Sequence, residues 1–297
     1  MDTDYISALD SSHDVSNLQF VSFDVETTGL SPVVSRLVEL SGVKFRLFDS
    51  QVETFSTLID PESKIPPEVS AVHGITDDMV EGAPKCQEAI PQFLEWLGPH
   101  DTVLVAHNAP FDVSFMQIAI AKLRLKTPPN PVIDTLPLTR QLLPDSPNHQ
   151  LKTIVEYLGL ESGGFHRALA DSHHVKHIIE HLAKSTEQPF KVWGDFSQYG
   201  CVFPFDRDPY GFEPPANVQE SIDSLKEAIA AGNSVRIVYS GFRSSARVVE
   251  PVAVIQSRGN FYLTAYCRRV DAERTFRVDK IKEISTAGNS SSRAALI

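Results

Sequence analysis

The sequence predicts a mixed α/β domain followed by a small all-β unit, a barrel, and three observations carry that expectation. Apolar residues alternate in three opening runs (19–26, 36–48 and 51–59), short apolar segments then alternate with helical periods as far as residue 184, and four short strand-like runs close the chain. Strands first and strand–helix alternation later is the pattern of a mixed sheet layered with helices.

Taken in order, the three opening runs are separated by "TTGLSP" and the turn-forming "DS", so they form an antiparallel meander. A proline-bearing loop, "DPESKIPPEVS", leads to an amphipathic helix at 86–97 and a buried strand, "TVLVA", at 102–106. A helix at 111–125 follows, then the strand "PVID" at 131–134 and helices at 135–142, 150–158 and 168–184, each with apolar positions three and four residues apart. Residues 186–217 hold five prolines and many aromatics without a sustained period; Phe190, Trp193, Phe196, Phe203 and Phe205 are too apolar for a free linker, so this linker packs on something. A helix at 218–231 ends at Gly232-Asn233, and "SVRIVYS", "ARVVEPVAVIQS", "NFYLTAYCRR" and "RTFRVDKIKEI" read as strands joined by turns. The expected boundaries are a disordered arm at 1–17, a first domain at 18–185, the linker at 186–217, a second domain at 218–286 and a disordered tail at 287–297.

A length of 297 residues suits two domains, each with its own core. No apolar run approaches the roughly 18 residues that span a bilayer, and the acidic opening lacks the basic start and apolar middle of a secretory signal, so no membrane association is expected. Cys86, Cys201 and Cys267 lie far apart with no CxxC pair, which fits a reducing cytoplasm and argues against a disulfide framework or a cysteine-rich zinc site. Charge is unevenly divided. Residues 1–212 hold 15 basic against 29 acidic side chains, whereas residues 213–297 hold 12 against 9. An acidic body binds nucleic acid poorly unless metal ions or a local basic surface compensate, and the arginine-rich tail can supply attraction.

The stretch "FVSFDVETTGL" (Phe20 to Leu30) carries Asp24 and Glu26 on the strand face opposite Val21, Phe23 and Val25. Residues two apart on a strand project the same way, about 6.6 Å apart along it. Two like charges at that distance repel by only about 0.6 kcal/mol in water, so a solvated polar face is also compatible with the pair. Further acids recur downstream. The stretch "VLVAHNAPFDVSFM" runs from a strand into a helix whose first turn holds Asp112, and "FHRALADSHHVKHII" sets His166 in a loop and Asp171 on the next helix. Gly29 permits a sharp turn that brings backbone amides close to a phosphate. His173, His177 and His181 share a helix face at a spacing that chelates zinc, but no HExxH is present and a solvated face explains them equally.

Over residues 18–183 the chain resembles the DnaQ-like exonucleases of the DEDDh class, on the ribonuclease-H-like fold, through "FDVETTGL", "HNAPFD" and "HRALAD" in that order. The sibling DEDDy class would need Tyr at position 167, which is Arg. The resemblance implies that Asp24, Glu26, Asp112 and Asp171 hold two divalent ions, Mg²⁺ or Mn²⁺, which suit hard oxygen donors. It makes His166 the general base, a task for which imidazole is suited near neutral pH. It also makes Thr27, Leu30, His73, Asn108 and Phe111 candidates for gripping the terminal nucleotides, His73 lying in the family-like segment "PPEVSAVHGIT".

Residues 218–286 resemble the WYL domain, through "VRIVY", "RVVEP", "GNFYLTAYCRR" and "TFRVDKI", although the namesake triplet here is "FYL" and Lys280 replaces an arginine. The resemblance implies an Sm/SH3-like barrel that binds nucleic acid or a nucleotide, with Tyr239, Arg247, Tyr262, Arg268 and Arg277 as ligand-binding positions. Guanidinium groups fork onto phosphate and aromatic faces stack on bases, so the assignment is chemically coherent. The expected function is a metal-dependent 3′–5′ exonuclease on single-stranded DNA or RNA, with the second domain gripping or sensing nucleic acid. The competing expectation is a non-catalytic regulator in which the α/β domain is a docking scaffold; the presence of all five catalytic-type residues weighs against it.

Overall fold

The computed structural model describes residues 9–160, 163–185, 190–207, 213–240, 245–257 and 259–287. Residues 1–8 of the expected arm, 288–297 of the expected tail, and 186–189 and 208–212 of the expected linker lie outside them. The described chain divides into two compact units. Of the described residues, one unit holds 9–119 and 127–207, and the other holds 120–126 and those from 213 on.

The first unit opens with the expected meander, β1 (Phe20–Thr27), β2 (Leu37–Phe45) and β3 (Val52–Leu58). The proline-bearing loop contains two short helices that periodicity did not reveal, α1 (Pro67–His73) and α2 (Asp77–Val80). Then come α3 (Cys86–Leu97), β4 (Val103–Ala106), α4 (Pro110–Lys122), β5 (Pro131–Asp134), α5 (Thr135–Leu142), α6 (Leu151–Tyr157) and α7 (Ala168–Ser185). After α7 follow a short turn of helix, α8 (Gly194–Ser197), and a short strand, β6 (Val202–Pro204). The six strands form one sheet in the order β3-β2-β1-β4-β5-β6, with β4 parallel to β1 and β5, and the remaining pairs antiparallel.

Both faces of this sheet are covered. On one, Phe23 of β1 meets Phe93 of α3 at 6.3 Å and Phe205 at 6.4 Å, while Phe55 and Trp96 extend the aromatic layer. On the other, α7 lies across β1 and β2, its Val175, Ile178, Ile179 and Leu182 joining Phe20 and Phe45 in one core. Aromatic and branched side chains buried this way each contribute about 1.5–3 kcal/mol relative to exposure. Asp24 and Glu26 are therefore half-buried and not on a free polar strand face; they project from β1 toward α7.

Two expectations about the unit's ends are corrected. Residues 9–17 are not a loose arm: Leu9 and Val15 are buried, Val15 N donates to Lys191 O at 3.0 Å and Trp193 N donates to His13 O at 2.8 Å. Residues 190–207 of the expected linker are part of the sheet domain, since β6 pairs with β5 and Phe190, Trp193 and Phe196 are fully buried. Its aromatics found their surface in this same unit.

The second unit packs α9 (Ala216–Ala230) on a five-stranded antiparallel sheet of β7 (Val235–Tyr239), β8 (Ser245–Ser257), β9 (Asn260–Cys267), β10 (Ala272–Arg277) and β11 (Ile281–Thr286). It is not all-β: Val218, Ile222 and Leu225 of α9 supply one side of its core. The strand order β10-β9-β8-β7-β11 is open, and among the described residues no ladder joins β10 to β11 to close a barrel. No helix among the described residues is long and apolar enough to cross a membrane.

Candidate active site

Three segments distant in sequence deliver carboxylates to one cleft of about 890 Å³, whose lining includes Asp24, Glu26, Asp112, His166 and Asp171. Asp24 and Glu26 stand on the α7 side of β1 because strand side chains alternate. Asp171 comes from the first turn of α7. Oxygen atoms of Asp24, Glu26 and Asp171 lie within 4.8 Å of one another, close enough to share an ion. Asp112, in the first turn of α4, is buried beside them and accepts from Val25 N at 3.1 Å. It is next to the trio without belonging to it.

Crowding these acids together is electrostatically costly. Burial, then repulsion from Asp112, Asp171 and Glu26, raises the Asp24 carboxyl well above its usual range. Burial and the Asp171 charge push Glu26 up to about 8, and burial pushes Asp171 up to about 6 despite the His166 amide that bonds it. Burial likewise raises Asp112. The Oδ1 atom of Asp171 is buried without a hydrogen-bond partner. A trio of hard oxygen donors, one of them orphaned, fits a divalent cation. Among the described residues it is the one cluster of three such donors.

Near the acids the backbone takes positive φ at His166, Asn108 and Gly29. His166 has φ of 63°, and its amide donates to Asp171 Oδ2 at 3.0 Å. Its imidazole is exposed on the cleft. Asn108 has φ of 61°, fixed by Asp134, whose Oδ1 accepts from both Asn108 N (2.9 Å) and Leu136 N (3.0 Å). Gly29 has φ of 155°, and a Cβ there would stand 2.9 Å from Ser35 Oγ.

Of the predicted grip residues, Asn108 and Phe111 line the cleft. Thr27 closes β1 and donates from Oγ1 to Gly29 O at 2.8 Å. His73, at the end of α1, is buried beside it and kept below its ordinary titration range by desolvation. Leu30 is 74% exposed on the loop beyond β1. The histidine stripe does not assemble a metal site: the His173 and His177 rings are 6.4 Å apart, and no third donor joins them among the described residues.

Sequence reading missed the residues that brace the acids. Glu39, opposite Glu26 in the β1–β2 ladder, is buried and accepts from Arg167 Nη2 at 2.7 Å and from Ala168 N at 2.9 Å, so it caps α7. Its place as the lone acid of β2 was its only signal.

In the second unit, Tyr239, Arg247 and Phe276 cluster, with Tyr239 5.2 Å from the Phe276 ring and Arg247 5.8 Å from it. Arg277 donates from its amide to Tyr239 Oη at 3.3 Å and pairs with Asp279 at 2.7 Å; Tyr262 is its ladder partner. Arg268 is engaged elsewhere, with Glu250 at 2.9 Å and Ser234 at 3.1 Å, so four of the five predicted positions gather and the fifth does not.

With this geometry in place, a family model described as Exonuclease matches residues 21–178, and one described as WYL domain matches residues 220–286. The chain belongs to the exonuclease family and carries a WYL domain. Among curated proteins it is similar to the PolC-type DNA polymerase III of Halalkalibacterium halodurans (38% identical over 170 residues, 57% of this chain) and of Bacillus cereus (39% over 165 residues, 56% of this chain). The matched region is only 12% and 11% of those relatives' length. A solved E. coli exonuclease I in complex with a dA16 oligonucleotide is similar in fold, at TM-score 0.52 and 15% identity, over 84% of this chain and 55% of that one.

Proposed function

We propose that the protein is a metal-dependent 3′–5′ exonuclease that releases nucleoside 5′-monophosphates from single-stranded ends of DNA or RNA, with its WYL domain binding or sensing nucleic acid. The observation that carries this reading is the convergence of Asp24, Glu26 and Asp171 within 4.8 Å, with His166 tied through its amide to Asp171. Relatives named as polymerases and a neighbour solved with an oligonucleotide support nucleic acid as the substrate class.

Asp24, Glu26 and Asp171, with Asp112 beside them, would hold Mg²⁺ or Mn²⁺, which supply charge stabilisation for the attacking and leaving oxygens. His166 takes a proton from the attacking water as its oxygen bonds phosphorus and the P–O3′ bond breaks. The electron pair leaves with O3′ of the penultimate nucleotide, which takes a proton from solvent and becomes the new hydroxyl end. Asn108 and Phe111 flank the acids and orient the terminal nucleotide, while the left-handed turn at His166 keeps the imidazole on the open side of the cleft.

Incubation of the full chain with 5′-labelled single-stranded DNA or RNA and Mn²⁺ tests this. Shortening from the 3′ end that a chelator stops, and that Asp24→Asn abolishes while the protein stays folded, is the expected result; equal activity in Asp24→Asn would remove the hydrolase reading.

A further inference from the structure

The acids occupy one side of the cleft, and the charged side chains that the wall of α5 and α6 contributes to its lining are cationic. Arg140 of α5 and Lys152 of α6 are the lysine and arginine side chains of the lining, and both are exposed. Lys152 Nζ sits 5.9 Å from the Phe165 ring centroid, beside the loop that carries His166. Its acidic neighbour Glu156 is 3.9 Å away and more than half exposed, so that pair is worth little and leaves the ammonium available.

The wall is built, not incidental. His107 Nε2 lies 2.8 Å from His149 O and its Nδ1 lies 2.8 Å from Thr135 Oγ1. Burial lowers the His107 pKa, which favours the neutral ring. A carbonyl can only accept, so Nε2 donates to His149 and Nδ1 accepts from the Thr135 hydroxyl. Ser146 Oγ donates to Asn148 O at 2.8 Å, and Gln150 N donates to Asn148 Oδ1 at 2.9 Å. The turn between α5 and α6 is thereby fixed through His107, just past β4, to Thr135 at the start of α5.

We infer that this wall is the track for the sugar–phosphate backbone of a bound single strand, with Arg140 and Lys152 pairing the phosphates on the 5′ side of the scissile one. The inference rests on the hydrolase reading for the position of the scissile phosphate. A unit with strong net negative charge repels a polyanion, and its acidic trio adds to that repulsion. The neighbouring phosphates therefore favour the one side of the cleft that offers cations.

The test compares the full chain with Arg140→Gln/Lys152→Gln, using an oligothymidylate and the p-nitrophenyl ester of thymidine 5′-monophosphate, which has no neighbouring phosphate. Catalytic efficiency on the oligomer relative to the ester is expected to fall about tenfold or more, carried by KM. Equilibrium binding of the oligomer in Ca²⁺ is expected to weaken, with its salt slope reduced by about 1.4, near 0.7 for each lost single-strand phosphate contact. Wild-type cleavage with an unchanged efficiency ratio and salt slope in the variant overturns the track and leaves the hydrolase reading standing. No wild-type cleavage of either substrate, with binding still weakened by the substitutions, overturns the hydrolase reading and keeps the track. Absence of both effects overturns both.

Discussion

Arg167 grips the carboxylate of Glu39 in a forked ion pair, Nη2 to Oε1 at 2.7 Å and Nε at 3.2 Å from both oxygens, across 128 residues of sequence. Glu39 is 3% exposed and the arginine 47%, so one partner is buried and the other half in water. Because Glu39 also accepts the Ala168 amide, the pair pins the start of α7 to β2, directly across the ladder from Glu26. Arg167→Met leaves a buried carboxylate without its counter-charge. Loss of about 1.5–3 kcal/mol in urea unfolding is expected, together with a fall in turnover as Asp171 and His166 lose their anchor. Glu39→Gln in the same background should recover part of the stability; an additive double mutant would mean the two residues do not act together.

A pH dependence follows from the raised carboxyls. Glu26, ordinarily at 4.5, lies at about 8, and Asp171, ordinarily at 3.8, lies at about 6 in the folded protein. The metal-free folded state thus binds more protons than the unfolded chain. This contribution to stability is complete in acid and is lost as pH rises through about 6 and then about 8. Thermal unfolding in chelator should show a falling Tm over that range, Glu26→Gln should flatten the slope, and Mg²⁺ or Mn²⁺ should raise Tm most at the alkaline end. A flat Tm profile in the wild-type protein would contradict the assignment.

His166→Asn isolates the imidazole. Asparagine tolerates a left-handed backbone, so the amide bond to Asp171 persists while the base is gone. Turnover is expected to drop about 10²–10⁴-fold, with oligonucleotide KM nearly unchanged. A comparable change in KM would point to a substrate-holding role instead.

Gly29→Ala tests the loop beyond β1. A φ of 155° is strained for any side chain, and the new methyl would meet Ser35 Oγ at 2.9 Å. Destabilisation of about 1 kcal/mol is expected in urea unfolding. Adding Ser35→Gly should relieve the contact but not the backbone strain, so only part of the loss returns.

Much of the first domain is legible locally. Alternation over 19–26, 36–48 and 51–59 became β1 to β3, and the helical period over 86–97 became α3 with the same limits. The acids were legible because their motifs are short and ordered. What escaped were features settled only by distant partners. Leu9 and Val15 carry no periodic signal, and their burial depends on Val192 and Trp193 far along the chain. Glu39 reads as the lone acid of its strand until Arg167 arrives from the start of α7. Arg140 and Lys152 sit on separate helices, and only the packing of α5 and α6 places them on one wall.

Strand β6 has a practical consequence for anyone isolating the catalytic domain. A fragment stopped at the end of α7, near the limit of the family match, would strip β5 of its neighbour and uncover the bed occupied by Phe190, Trp193, Phe196 and Phe205. Bare strand edges and wide apolar surfaces recruit other chains. Such a fragment should emerge in inclusion bodies or as soluble aggregates, whereas one carried through residue 207 should stay monodisperse on size exclusion.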